Sequence, residues 1–329
     1  MTRHLLTLDS LGRDGILLNL ELAAQLKARK GMARTALDGG RVGLIFDKPS
    51  TRTRVSFEAA CFGLGMLPIT LRSDELQIGR GETIADTARV LSRYLSALVI
   101  RTFEQAKVEE LAKYATIPVI NALTDDHHPC QALADTMTLK EEFGDFAGLK
   151  MAFIGDGNNV AHSLIQAAGY LGFTLSIATP EGYEPDGLIV EKARANCARY
   201  GGAIELSHDV RGAVRDADAV YTDVWASMGQ EKEREERARI FAGYCVDDEL
   251  MALAKPRAIF EHCLPAHRGD EVTDSVMDGP QSRVWDEAEN RWHTEAALLY
   301  MLITGKSSWD AVGAGSVGAG TGARPEPVG

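Results

Sequence analysis

Short apolar runs alternate with longer stretches at helical spacing along the whole of this 329-residue chain. Residues 42–46, 67–71, 97–100, 118–121, 151–154, 175–178, 203–206, 219–222 and 258–261 are brief and rich in branched or apolar side chains, which predicts strands buried on both faces. The clearest helix follows Gly81, where Ile84, Ala88, Leu91 and Leu95 recur at i, i+4, i+7 and i+11 and make one apolar face. Strand and helix alternating throughout place the chain in the α/β class, with mainly parallel sheets covered by helices on both faces. The polar, glycine-bearing stretch 141–148 precedes a new strand and sets a boundary near residue 145. Two similar halves result, 1–145 and 146–305. The apolar positions of 296–302 predict a last helix able to pack back across the molecule, and the Gly/Ala/Ser/Pro-rich tail 306–329 reads as disordered. Residues 231–239 are charged almost throughout, which reads as a solvated helix face or a mobile loop without chemistry.

Composition narrows the function. Apolar residues make up 45% and charged residues 25%, an ordinary globular balance. A net charge of −12 argues against a broad nucleic-acid-binding face, so a phosphate-bearing ligand has to be met by a local cationic site. No apolar run approaches the ~18 residues of a membrane span, and Arg3, His4, Asp9, Arg13 and Asp14 interrupt any secretory h-region. The five cysteines are scattered and never spaced as CxxC, which suits a reducing compartment. A cytoplasmic protein is expected.

In doubly wound folds ligands bind beyond the carboxyl ends of the strands. The segments at those ends are Asp47 to Arg54, then Arg101, Asn121 and His127 to Gln131. The second half adds Gly155 to Asn159, Asp223 to Gly229 and His262 to Arg268. Ser50-Thr51-Arg52-Thr53-Arg54 is the most informative. Hydroxyls and arginines where a helix begins offer free backbone N–H groups, the positive dipole end and forked donors to one anion. A plain N-cap followed by surface arginines is the competing reading. His127, His128, Cys130, His262, Cys263 and His267 lack the paired spacing of zinc sites, so no metal is expected. Gly155-Asp156-Gly157 only partly matches a dinucleotide fingerprint: Val160 stands at the third glycine, and an acidic ribose partner is available only at Glu181. Those glycines better suit a tight turn that brings Asn158 or Asn159 into a cleft.

Together the clusters resemble the aspartate/ornithine carbamoyltransferase family. Ser50 to Arg54 and His128-Pro129-Cys130-Gln131 match its carbamoyl phosphate motifs. Asp223-Val224-Trp225-Ala226-Ser227-Met228-Gly229 and His262-Cys263-Leu264-Pro265-Ala266-His267-Arg268-Gly269 match its ornithine-type signatures. The likeness spans about residues 3 to 304. It implies carbamoyl transfer from carbamoyl phosphate to the δ-amine of L-ornithine in a cleft between the halves, without a cofactor. Carbamoyl phosphate would lie on Ser50, Thr51, Arg52, Thr53, Gln77, Arg101, His128, Pro129, Cys130, Gln131, Cys263, Leu264 and Arg291. Ornithine would lie on Asn159, Asp223, Ser227 and Met228, and Arg101, His128 and Cys263 would carry catalytic roles. The resemblance also implies a homotrimer in which Gln77 reaches a neighbouring site. Rival readings are carbamoyl transfer to another amine, a nicotinamide-dependent dehydrogenase using Gly155 to Asn159, and a non-catalytic carbamoyl phosphate sensor.

Overall fold

A computed structural model describes residues 3–30, 36–72, 81–226 and 234–309. The first half runs α1 (Gly12–Ala28), β1 (Arg41–Phe46), α2 (Thr51–Leu64), β2 (Leu67–Arg72), α3 (Ile84–Tyr94), β3 (Ala97–Arg101), α4 (Gln105–Tyr114), β4 (Val119–Leu123) and α5 (Pro129–Phe143). The second begins β5 (Lys150–Ile154), α6 (Asn159–Leu171), β6 (Thr174–Ala178), α7 (Gly187–Tyr200), β7 (Ala203–Ser207), α8 (Val210–Val214) and β8 (Ala219–Thr222). It ends α9 (Arg234–Ile240), α10 (Asp248–Met251), β9 (Ile259–His262), α11 (Asp274–Met277) and α12 (Val284–Thr304).

Every predicted run is a strand, with ends displaced by two residues at most. The largest extension, β4 to Leu123, passes through Asn121. This polar residue is tolerated inside a buried strand because its amide donates to Leu6 O (2.9 Å) and Gln105 Oε1 (3.2 Å). Both sheets are parallel, ordered β2-β1-β3-β4 and β7-β6-β5-β8-β9. Each order reverses direction once, between β1 and β3 and between β5 and β8. Those two switch points are where a doubly wound sheet opens a crevice. Register levels the strand ends there: Phe46 pairs with Arg101, and Ile154 with Thr222, which pairs with His262.

The halves are tied into one body. The largest apolar cluster runs from Leu5 to Trp309 and draws on both sheets and on α12. Helix α12 meets the first half: Asn19 Nδ2 donates to Thr294 O (3.0 Å) and Arg283 Nε to Glu142 Oε1 (2.6 Å). The amino-terminal segment crosses the other way, with Arg13 Nη1 donating to Tyr170 O (2.6 Å) and Lys192 pairing with Asp9 (2.6 Å).

The start of the tail departs from the expected disorder. Trp309 is buried, stacks on Tyr300 with centroids 4.3 Å apart, and donates Nε1–H to Leu22 O (3.0 Å). One indole at the end of a polar tetrapeptide supplies enough apolar surface to order it. The rest of the tail lies outside the described residues. Among the described residues no helix is long and apolar enough to cross a membrane.

Candidate active site

A cavity of about 280 Å³ lies between the two switch points. The first half contributes Lys48, Ser50, Arg52, Thr53, Arg101, Phe103, Leu123, Asp125 and His128. The second contributes Asp156, Asn158, Asn159, Val160, Asp223, Val224, Cys263, Leu264, Pro265 and Arg291. A second cavity of about 310 Å³ shares Arg52, Cys263 and Arg291 as walls and is lined further by Thr51, Gln131 and Glu287.

On the first side, Ser50 is the N-cap of α2 and its hydroxyl accepts the Thr53 N–H (3.3 Å). Ser50 thus caps the helix and also lines the cavity. Arg52 faces the cavity, whereas Arg54 turns out to solvent and pairs with Glu58 (3.0 Å). Arg101 reaches in from the end of β3 and donates to Thr53 Oγ1 (3.4 Å). Burial, then the charges of Arg291 and Arg52, lower its guanidinium to about 10, so it stays cationic at neutral pH. His128, buried at the N-cap of α5, is held well below the ordinary imidazole range by burial and by Arg291, Arg101 and Arg52. It is neutral at pH 7, and its Nδ1 has no hydrogen-bond partner in the protein. Pro129 and Cys130 line neither cavity; Pro129 opens α5 and the Cys130 thiol donates to Asn121 O (3.4 Å).

On the second side, Gly155 takes φ +143° and Gly157 lies against the chain beyond β6. A Cβ on Gly157 would stand 2.3 Å from Pro185 N, so protein backbone fills the space a dinucleotide would need. This disfavours the dehydrogenase reading. The turn instead makes Asn158 the N-cap of α6, with Nδ2 donating to Asp223 Oδ2 (3.1 Å), while Asn159 donates to Thr124 O (2.6 Å) in the first half. Asp223 also accepts from its neighbour Val224 N–H (2.7 Å) and from the Cys263 thiol (2.9 Å). Burial and the Asp223 carboxylate push that thiol well above its ordinary range, so Cys263 is a donor rather than a thiolate.

The backbone around Cys263 is locked. Leu264 sits at φ +58°, its N–H donates to His262 Nδ1 (2.8 Å), and His262 Nε2 then carries the proton that faces Glu271 Oε1 (3.2 Å). Donor atoms of Asp223, His262 and Cys263 come within 4.8 Å of one another, yet each is committed to a partner inside the protein.

Several residues were not singled out from sequence. Lys48 is buried, paired with Asp125 and 4.2 Å from the Phe103 ring centroid. Its place directly after β1 and before Ser50 is the signal that marks it. Arg237 corrects the reading of 231–239 as solvated: it is buried and donates to Asp156 Oδ2 (2.6 Å) and Trp225 O (2.7 Å). Nothing in the composition of a charge run marks which of its residues turns inward. Gln77, Ser227 and Met228 lie outside the described residues.

Comparison with known proteins agrees with this geometry. Residues 3–141 match the family model described as "Aspartate/ornithine carbamoyltransferase, carbamoyl-P binding domain", and 147–302 match "Aspartate/ornithine carbamoyltransferase, Asp/Orn binding domain". The chain is 54% identical over 305 residues to an ornithine carbamoyltransferase of Pyrococcus abyssi, covering 92% of this chain and 96% of the relative. The ornithine carbamoyltransferase of Pyrococcus furiosus superposes with TM-score 0.89 at 53% identity, covering 92% and 97%. An anabolic ornithine carbamoyltransferase from Campylobacter jejuni superposes with TM-score 0.87 at 37% identity, covering 92% and 100%.

Proposed function

The chain belongs to the aspartate/ornithine carbamoyltransferase family, and from that premise we infer that it transfers the carbamoyl group of carbamoyl phosphate to the δ-amine of L-ornithine, releasing L-citrulline and phosphate. The observation that carries the assignment is one cavity with two opposed walls. Arg52, Arg101 and the start of α2 form a cationic wall on one side, and the Asp223 carboxylate held by Asn158 and Cys263 faces it from the other.

In this reading the first half, 1–145, holds carbamoyl phosphate. Its phosphate lies on Ser50, Thr51, Arg52 and Thr53, where free N–H groups, the helix dipole and a guanidinium fork converge. Thr53, Arg101 and neutral His128 surround the carbamoyl oxygen and stabilise the negative charge it gains when the amine attacks. Gln131, Leu264 and Arg291 complete the carbamoyl end, and Pro129 and Cys130 act through the backbone that begins α5.

The second half, 146–305, holds ornithine, with Asp223 on its α-ammonium and Asn159, Ser227 and Met228 around it. The δ-amine nitrogen bonds to the carbamoyl carbon, and the bond from that carbon to the phosphate oxygen breaks. Phosphate departs with the electron pair and takes the amine proton, leaving as HPO₄²⁻. Cys263 stays a thiol in this scheme; its part is to hold Asp223. The donor set of this chain supplies every charge the step needs.

The proposal extends to a homotrimer in which Gln77 completes a neighbouring site, supported by the likeness of that segment to the family. The biosynthetic direction is supported by relatives described as anabolic. A cytoplasmic setting is supported by five free cysteines.

A colorimetric assay offering ornithine, N-acetyl-L-ornithine, putrescine and aspartate separately tests the substrate. Ornithine should exceed each of the others at least 100-fold in kcat/KM, because N-acetyl-L-ornithine has no α-ammonium for the Asp223 carboxylate, putrescine has no α-carboxylate and aspartate has no δ-amine to attack. Carbamoyl transfer to aspartate at a comparable rate, or none to ornithine, contradicts the assignment.

A further inference from the structure

Beneath the carbamoyl end lie two buried carboxyl side chains, Asp135 and Glu287, that the transfer reaction does not use directly. Gln131 faces the cavity that Arg52, Cys263 and Arg291 share. Its Nε2 lies 2.7 Å from Asp135 Oδ1, one turn along α5, and 2.7 Å from Glu287 Oε1 on α12. Its Oε1 accepts from Arg291 Nη1 (2.6 Å). A carboxamide nitrogen has two hydrogens and no lone pair to accept with. Two carboxyl groups on the nitrogen and a guanidinium on the oxygen therefore leave one orientation of the amide. Both donors are spent, and Oε1 keeps a single lone pair for anything in the cavity.

Glu287 does more than hold Gln131. Its second oxygen, Oε2, accepts the backbone N–H of His262 (2.9 Å), the residue before Cys263. One carboxyl thus joins α5 of the first half to the end of β9 in the second. Asp135 and Glu287 thus meet on one nitrogen, Gln131 Nε2. Burial raises Asp135 to about 7 and Glu287 well above the usual carboxylate range, which keeps a proton on the pair.

Resting on the carbamoyl phosphate reading above, we propose that Asp135 and Glu287 are a positioning pair that presents the Gln131 carbonyl oxygen to the carbamoyl –NH₂ group, so that the site selects a carbamoyl phosphate over an acyl phosphate of the same shape. The selection follows from hydrogen-bond inventory. A carbamoyl amine donates to the one free lone pair of Oε1, whereas an acyl methyl group buries that lone pair without a partner. Arg52 and the start of α2 grip the phosphate of either ligand alike, so the difference falls on Gln131.

Acetyl phosphate is the probe, because it replaces –NH₂ by –CH₃ and changes little else. Binding of carbamoyl phosphate and acetyl phosphate to the intact enzyme is measured by calorimetry, for wild type and for Glu287→Gln. An amide has one acceptor oxygen where the carboxyl has two, so the substituted side chain cannot satisfy both Gln131 Nε2 and the His262 N–H. Wild type should favour carbamoyl phosphate at least tenfold. In Glu287→Gln that preference should fall to within threefold, with acetyl phosphate binding changed less than twofold. Equal weakening of both ligands, or an unchanged preference, overturns the proposal. Asp135→Ala, which removes the acceptor that Gln131 Nε2 uses on α5, supplies an independent second variant with the same expected loss of preference, should Glu287→Gln not fold.

A double-substitution cycle separates positioning from general damage. On a Gln131→Ala background, Glu287→Gln should alter the preference no further, and fully additive effects would count against the pair. If wild type binds neither phosphate, the carbamoyl phosphate reading itself has failed, and the proposal with it.

Discussion

Arg52, Arg101 and Arg291 face one another around a cavity in a chain whose net charge is −12. Each raises the cost of the others' charge; burial and its two neighbours bring Arg101 down to about 10. A doubly charged phosphate relieves that repulsion, so part of its affinity comes from a strain already built into the protein. Arg52→Ala removes the fork nearest the start of α2, and the loss of one such charged contact is worth roughly 2–4 kcal/mol, or about 30- to 1,000-fold in kcat/KM for carbamoyl phosphate. Arg52→Lys should recover only part of this, because an ammonium makes no planar paired contact. Steady-state kinetics with carbamoyl phosphate varied check both, and wild-type values for Arg52→Ala would place the phosphate elsewhere.

At the scale of elements, the nine predicted strands were legible because buried parallel strands write themselves as uninterrupted apolar runs, whereas the strand order that makes the two switch points was not. The polar clusters at strand ends were legible for the same reason: they are what remains when those runs stop. Long-range polar pairing was not. Nothing in the sequence near Glu287 announces that it meets Gln131, 156 positions away, and His262, 25 positions away. Arg237 and Lys48 look like surface charges until the fold supplies Asp156 and Asp125.

Trp309 was hidden by its setting, since a Gly/Ser-rich context gives no periodicity to read. Its stack on Tyr300 and its bond to Leu22 O fasten the end of α12 to α1. Trp309→Ala should cost ~3–5 kcal/mol, as buried aromatic truncations do. A thermal melt should show a fall on the order of 5 °C or more. Trp309→Phe, which keeps the stack and loses the hydrogen bond, should fall between, and an unchanged melt for Trp309→Ala would show that the indole does not dock.

At the scale of the whole molecule, buried titratable groups shape stability against pH in opposing senses. His127 is lowered to about 4 by burial and by the nearby His162. Between pH 6.5 and 4 the unfolded chain therefore binds a proton there that the folded chain refuses, and stability falls as pH falls. Asp135 and Glu295 are raised to about 7 by burial. Their contribution is full below ~4 and is lost as pH rises to about 7. The two effects share a window, so the wild-type curve alone does not separate them. The difference between wild type and His127→Gln does: relative to the variant, wild type should lose about 1.4 kcal/mol per pH unit from 6.5 down to 4. Denaturant unfolding at several pH values reads this directly, and parallel curves would mean that His127 titrates normally in the fold.

The switch points of two sheets, joined by α12, bring a cationic wall and a carboxylate wall to one cavity. That division of labour between the halves is most directly tested by Asp223→Asn. Losing the buried partner of the α-ammonium should weaken ornithine use by roughly 2–4 kcal/mol, about 30- to 1,000-fold in kcat/KM. Carbamoyl phosphate binding, measured by calorimetry on the same folded variant, should stay within twofold of wild type. If Asp223→Asn spoils both substrates equally while its melting temperature is unchanged, the two walls do not serve separate substrates and the account is wrong.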